Sequence, residues 1–514
     1  MDATGAYEEL AARHREVAVL RSSSNLLEWD AETMMPAGAA ELRSQQLAML
    51  AGLTHERATD PRLGELLELA GDGGDDSDGG DPESIQAANL REMRRGYERE
   101  VRLPRRLVEE MARVVSLSRQ EWVEARKAND FARFRPWLEQ VVALKRETAE
   151  ALAPLLGFPD DPTVELYDAL LDEYEPGARS REIASLFAAL RQDLVPLAAA
   201  LAAAPRRPRT EVLHRDFPVE RQRAFGRAAA ERLGFDFERG RMDVSAHPFC
   251  MPVGPGDTRL TTRYQAGDFR EGFFGILHEV GHGLYEQGLD PAGFGMALGD
   301  SASLGLHESQ SRLWENRVGR SRAFWEHLFP AAREAFPEAL GDVSLDEMVF
   351  AVNEVAPGPN RVRADEVTYN LHVLVRFDLE RALLDGRLAA ADVPEAWNAA
   401  YREMLGLTPP DDADGCLQDT HWGSGLFGYF PTYTLGNVYA AQLFAAAERQ
   451  LGDLDGDFRQ GRFDRLLAWL RDNVHRPGRR LPAAEIVRRA TGQAPDHRPL
   501  VEALRSHYGE LYGI

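Results

Sequence analysis

Asp268-Phe269-Arg270-Glu271-Gly272-Phe273-Phe274-Gly275-Ile276-Leu277-His278-Glu279-Val280-Gly281-His282-Gly283-Leu284-Tyr285-Glu286-Gln287-Gly288 is the stretch from which the rest of the chain is read. Phe273, Ile276, Leu277, Val280 and Leu284 recur at threes and fours, the spacing of one buried helix face. Asp268 followed three residues later by Glu271 is a capping-box pattern, and Gly288 suits the C-cap. On such a helix His278 and His282 stand one above the other, so both imidazoles can reach one zinc ion. Glu279 is rotated by about 100°, which sets it beside the metal rather than on it. A carboxylate there can take a proton from an attacking water and hand it to a leaving amine. The arrangement is that of a metallopeptidase. The bland alternative is a chance match among 13 histidines, and the capped, amphipathic surroundings weaken it.

A catalytic zinc takes three protein ligands and keeps one position open. The metzincin pattern places a third histidine six residues after the second, where this chain has Gly288, so that subclass is excluded. A downstream carboxylate remains. Glu308, in His307-Glu308-Ser309-Gln310, follows His282 by 26 residues, on a helix that Asp300 or Ser301 can cap. Glu286 and Glu315 are its rivals. Three ligands on one straight helix cannot surround an ion tetrahedrally, so Glu286 reads as an outer or surface residue. The residues alone leave the third ligand open.

Outward from this helix the pattern is overwhelmingly helical, over about 5–30, 38–52, 83–128, 130–156, 180–204 and 217–234. The pair at 83–128 and 130–156 reads as a hairpin hinged at Asn129 and Asp130. Between 236 and 266 the period changes. Alternating segments at 241–246 and 258–264, broken by Pro248, Pro252 and Pro255, read as a small antiparallel sheet inside a helical protein. Helices then resume, interrupted by a Gly/Pro/aromatic loop at about 408–435. Residues 71–81 form an acidic, glycine-rich loop, whose spacing lacks the terminal Glu of an EF-hand calcium site. Repeats and hinge linkers are absent. We expect one domain over 1–514, with a helical region at about 1–235, the sheet at about 236–266 and a catalytic helical region at about 267–514.

Composition bounds the partners. The chain has 514 residues, 60 Lys+Arg and 83 Asp+Glu, a net charge of −23. That balance argues against nucleic acid and against anionic membranes as partners. The longest apolar run, 194–205, contains Pro196 and is too short to span a bilayer, and the first residues lack a signal-peptide pattern. Cys250 and Cys416 cannot make a disulfide framework for a chain this size, so two reduced thiols in a cytoplasmic protein are expected.

Other clusters are less specific. His247-Pro248-Phe249 reads by default as a buried turn with a core histidine. Asp257-Thr258-Arg259-Leu260-Thr261 reads as an edge strand, on which an extended peptide could pair. Arg361-Val362-Arg363-Ala364-Asp365-Glu366 opens a helix. Gln418-Asp419-Thr420-His421-Trp422-Gly423 leads into an aromatic, glycine-rich run through Tyr433, too aromatic for a plain solvent loop. His and Tyr there can donate to a developing oxyanion.

Together these blocks resemble the thermostable carboxypeptidase Taq family of zinc metallocarboxypeptidases, a match running over most of the chain. It also takes in Trp29-Asp30 through Met35-Pro36 with Gly38 and Arg43, Arg363 through His372, and 415–436. The resemblance implies a mainly α fold: a large helical, neurolysin-like zincin body with a deep active-site groove and a small sheet. It implies His278, His282 and Glu308 as metal ligands and Glu279 as general base. It further implies one zinc per chain, for which cobalt can substitute, a homodimer, and removal of C-terminal residues one at a time with broad preference. A carboxypeptidase must recognise a terminal carboxylate, which suits a planar guanidinium fork. Arg363 is the choice for it and Arg361 the alternative, with His421 and Tyr433 as partners. Arg259 and Arg363 are expected to give peptides with a free C-terminus a local cationic patch. The alternatives are an oligopeptidase or dipeptidyl-releasing peptidase of the same fold, and a helical peptide-binding scaffold without turnover.

Overall fold

A computed structural model of the protein describes residues 1–71, 81, 83–157, 161 and 163–514. The acidic tract, with its calcium reading, lies almost wholly outside the described residues. The helical segments stand where the periodicity puts them. Helices run over Ala3–Thr33, Ala40–Ala58, Phe131–Leu152, Ser180–Ala203 and Val219–Leu233. The 83–128 segment is two helices, Ile85–Arg102 and Arg105–Ala128, parted by Pro104, whose fixed φ starts the second. The hinge is real: Asn129 adopts a left-handed conformation at φ 53°, and the Asp130 side chain caps the next helix through the Arg133 N–H.

The chain divides into two compact units. The first comprises Met1–Glu100, Pro208–Val352 and Tyr439–Pro495. Its sheet has strands β1 (Gly240–Val244), β2 (Cys250–Gly254) and β3 (Asp257–Thr262), in the order β1-β3-β2. Two expectations need correction. The sheet is mixed, not antiparallel: β2 and β3 form an antiparallel hairpin, but β1 runs parallel to β3. The turn at Pro255-Gly256, with Gly256 at φ 83°, folds β3 directly back along β2, and β3 then fills the place beside β1. Asp257–Thr262 is therefore the central strand, paired on both sides, and offers no edge to a peptide. The strand that the prolines hid is β2. Its Pro252 lacks an N–H and is tolerated because β2 is an edge strand.

The helix carrying the histidines spans Phe269–Glu286 and packs on β3, on the Val219–Leu233 helix and on the helix Leu304–Arg312. Phe269 stacks on Phe273 at 5.1 Å, and Phe225, Trp325 and Phe336 close around them. This aromatic cluster fixes the first turns of the helix and so the height of the histidines. Near the N-terminus Trp29 is buried with Arg259 over its ring at 4.2 Å and Arg241 at 4.8 Å. Arg43 ties the first two helices together, donating to Asp30 at 2.7 Å and to the Leu27 carbonyl at 2.7 Å.

The second unit comprises Val101–Arg207, Asn353–Val438 and Asp496–Ile514. The helix Glu366–Asp385 is buried along most of its length. The apolar helix Ser180–Ala203 packs against it and against Val393–Leu405 and Arg498–Tyr512. Glu380 accepts from Tyr167 Oη, Trp422 Nε1 and the Gly428 N–H, which anchors the aromatic loop.

Candidate active site

The histidine helix begins where Asp268 accepts from the N–H groups of Arg270 and Glu271. The Glu271 side chain turns to Arg263 and Gln265, so only half of a capping box forms. Its C-cap is Gln287 rather than Gly288. Gly288 is small for another reason: a β-carbon there would lie 2.2 Å from His475 Nδ1.

His278, His282 and Glu308 converge, with ligand atoms within 4.8 Å of one another. Glu308 Oε2 lies 3.6 Å from His278 Nε2 and 3.4 Å from His282 Nε2. Ligands roughly 2.0–2.1 Å from a tetrahedral ion are separated by roughly 3.3–3.5 Å, so this N, N, O set fits a divalent metal such as zinc. Glu308 reaches it because its helix starts at Ser303, whose hydroxyl accepts from the Leu306 N–H at 2.9 Å; neither Asp300 nor Ser301 is the cap.

The two rival carboxylates serve the ligands instead. Glu315 Oε2 lies 2.9 Å from His278 Nδ1, the position that orients a metal-binding imidazole. Glu286 Oε1 lies 2.7 Å from His307 Nε2, and His307 stacks face to face on His282 at 4.4 Å. Arg312, one turn beyond Glu308, donates to Glu308 Oε1 at 2.7 Å and to Glu315 at 3.2 Å. Burial alone would raise the Glu315 carboxyl, but Arg312, His278 and Arg320 hold it at about 2. Burial likewise opposes ionisation of Glu308, and Arg312 and the two histidines outweigh it, keeping it well below its ordinary value. Both carboxylates are thus ionised, as metal support requires.

Glu279 is buried on the same helix. Burial pushes its carboxyl up to about 7, while His278 pulls it down. A carboxyl poised there can both take and return a proton near neutral pH. Cys250 is half-buried and near enough for Glu286 and Glu279 to act on it, and burial pushes its thiol well up.

Two motif blocks turn out to be one piece of architecture. Thr261 Oγ1 accepts from the Phe249 N–H at 2.9 Å and lies 2.7 Å from Ser245 Oγ. His247, expected in the core, is exposed, and its carbonyl accepts from Ser245 Oγ. Arg259 is held by Asp257 through two hydrogen bonds of 2.8 Å, so its charge is already met.

In the second unit His421 Nε2 lies 3.1 Å from Tyr433 Oη, and the ring stacks on Phe430 at 4.3 Å. Burial holds His421 down at about 3, so it is neutral. Arg361 lies over the Tyr433 ring at 4.9 Å and donates to Asp419 Oδ1 at 2.7 and 3.0 Å. Arg363 is exposed on the same short turn, outside this cluster. Sequence reasoning gave no role to Asp419, Arg312 or Arg376. The i, i+4 spacing of Glu308 and Arg312 was the available signal for one of them.

A mostly helical chain with a converging, partly buried His-His-Glu triad and an adjacent buried glutamate is a metallopeptidase. The family model for carboxypeptidase Taq (M32) metallopeptidases matches residues 9–508, and the chain belongs to that family. It is 50% identical to Thermostable carboxypeptidase 1 of Thermus thermophilus over 518 residues, spanning all of both chains. It is 36% identical to Carboxypeptidase 1 of Bacillus subtilis over 95% of each chain. The crystal structure of an M32 carboxypeptidase from Deinococcus radiodurans R1 superposes with a TM-score of 0.93 at 45% identity, covering 99% of this chain and 100% of that one.

Proposed function

We propose that this metallocarboxypeptidase uses zinc and releases single amino acids, with broad preference, from peptides with a free C-terminus. We read the 514-residue chain as one catalytic domain working as a cytoplasmic homodimer. The observation that carries the chemistry is the convergence of His278, His282 and Glu308 beside buried Glu279. The free thiols of Cys250 and Cys416 suit a reducing compartment.

When bound, the metal supplies a Lewis acid for the scissile carbonyl and for water. Glu279 accepts the proton that the attacking water gives up and delivers it to the departing amine. Glu315 and His307 keep the two imidazoles from rotating. His421 and Tyr433 are assigned to the scissile carbonyl or the terminal carboxylate, and a neutral His421 can donate a hydrogen bond without adding a charge. For the terminal carboxylate itself the clustering of Arg361 with Tyr433 favours Arg361 over Arg363.

Mass spectrometry of one peptide and its C-terminal amide over time, with and without chelator, tests this. A ladder of single-residue losses from the free acid, abolished by chelator, is expected. Internal cuts, or equal cleavage of the amide, would overturn it in favour of an oligopeptidase.

A further inference from the structure

Arg376 belongs to no motif read from the sequence, yet it is one of the largest fully buried side chains in the protein. It lies in the second unit, over the Trp397 ring at 4.5 Å. Its Nε donates to Asp419 Oδ2 at 2.6 Å, and a second nitrogen lies 2.5 Å from the same oxygen. Arg361 takes the other oxygen, Oδ1. One carboxylate is therefore shared by two guanidiniums, and the three side chains are each at most 8% exposed.

The charges do not cancel: two arginines and one aspartate leave a net +1. Among the described residues, Asp419 is the one carboxylate that hydrogen-bonds to either arginine. His421 and His372 are kept neutral by burial, and Tyr401 hydrogen-bonds to Arg376 at 3.2 Å. Among the described residues, Asp419 is the one carboxylate whose charge acts on both histidines. A buried pair with one partner each would be satisfied; a buried trio with a surplus charge is costly unless an anion completes it.

We propose that Arg376 is a positioning residue for substrate: by neutralising Asp419 it leaves the charge of Arg361 uncompensated, and the peptide's terminal carboxylate completes the cluster. The inference rests on the carboxypeptidase reading above. Tyr433, which is only half-buried over Arg361, marks the side from which the carboxylate arrives.

Charge complementation tests it. The metal-loaded enzyme and its Arg376→Met, Arg376→Lys and Arg376→Met/Asp419→Asn variants are assayed on an N-blocked Ala-Ala dipeptide and its C-terminal amide. Metal content and thermal melting are followed alongside. Arg376→Met makes the cluster neutral, so KM for the acid should rise about tenfold or more with kcat within about threefold. Arg376→Lys and the double variant both restore +1, so their KM should return to within about threefold of wild type. A purely structural role predicts the reverse order, with the double variant worse than the single. A folded Arg376→Met with wild-type KM overturns the inference. If that variant does not fold, the other two decide: a raised KM in both, with metal content and melting intact, overturns it equally. Wild-type enzyme that cleaves the amide as fast as the acid overturns the carboxypeptidase reading itself, and this inference with it.

Discussion

Gly281 and the carbonyl of Gln310 stand so close that a β-carbon on the glycine would lie 2.5 Å from the oxygen. The second variable position of the His-Glu-x-x-His motif is thus the contact that lets the Glu308 helix lie against the histidine helix. Gly281→Ala should push that helix away and carry Glu308 Oε2 off the two imidazoles. Overpacking a core costs about 1–3 kcal/mol, and here it falls on the ligand geometry. We expect metal affinity to drop about tenfold or more, with a smaller loss in melting temperature of the metal-free protein. Titration with a competing chelator measures the first, and unchanged affinity would refute the contact's role.

Glu315 should matter almost as much as a ligand while not being one. Its 2.9 Å contact fixes the His278 ring and places the proton on Nδ1. Glu315→Ala should weaken metal binding about 10- to 100-fold and leave the stoichiometry at one ion per chain when metal is in excess. Glu308→Ala, by contrast, should abolish stoichiometric binding. Equal behaviour of the two variants would mean the ligand assignment is wrong.

Glu279→Gln keeps the size and burial of the side chain and removes its ability to accept a proton. Metal content should be unchanged and kcat should fall by about 10²–10⁴. Retention of near-wild-type turnover in a metal-loaded preparation would exclude Glu279 as the base.

The same residue sets a pH dependence. Burial raises its carboxyl to about 7 in the protein alone. Only the ionised form accepts a proton, so activity is lost as pH falls through its pKa. A bound cation favours the ionised form, which moves the acid limb of kcat/KM below about 7. A profile whose acid limb lies above 7, or is unchanged in the residual activity of Glu279→Gln, would contradict this.

How much of this was legible beforehand follows from the range of each signal. The histidine helix and the Asn129 hinge are written in local spacing, where period and cap chemistry act over a few residues, whereas Glu308, 26 residues beyond His282, was one of three open carboxylates until the family resemblance singled it out. The sheet was legible as a change of period. Its sense was not, because the pairing of β1 with β3 is decided by the Pro255-Gly256 turn, which lies beyond β2. Pro252 was misleading, since a breaker inside a strand and a proline on an edge strand look alike in sequence. Gly288 and His247 failed for one reason: what each touches, His475 for the former and solvent for the latter, is set by tertiary placement. Asp419 is in a recognised block, but its meaning depends on Arg376, which no local pattern brings to it.

The two arginines of the Arg361–Arg363 turn give the last prediction, since their settings differ so much. Arg361 is buried against Asp419 and Tyr433, whereas Arg363 is exposed. If Arg361 receives the carboxylate, Arg361→Ala should raise KM for a free-acid dipeptide about 10²-fold, the loss expected for a buried charge-assisted pair. Its slow hydrolysis of the amide should change far less, because the amide never used that charge. Arg363→Ala should change KM by about threefold at most, with a marked dependence on ionic strength, as for an exposed charge that only steers. Both variants are measured on the acid and the amide at low and high salt. A larger acid-specific defect in Arg363→Ala than in Arg361→Ala would hand the carboxylate to the exposed fork, and the buried cluster would then be support for the loop alone.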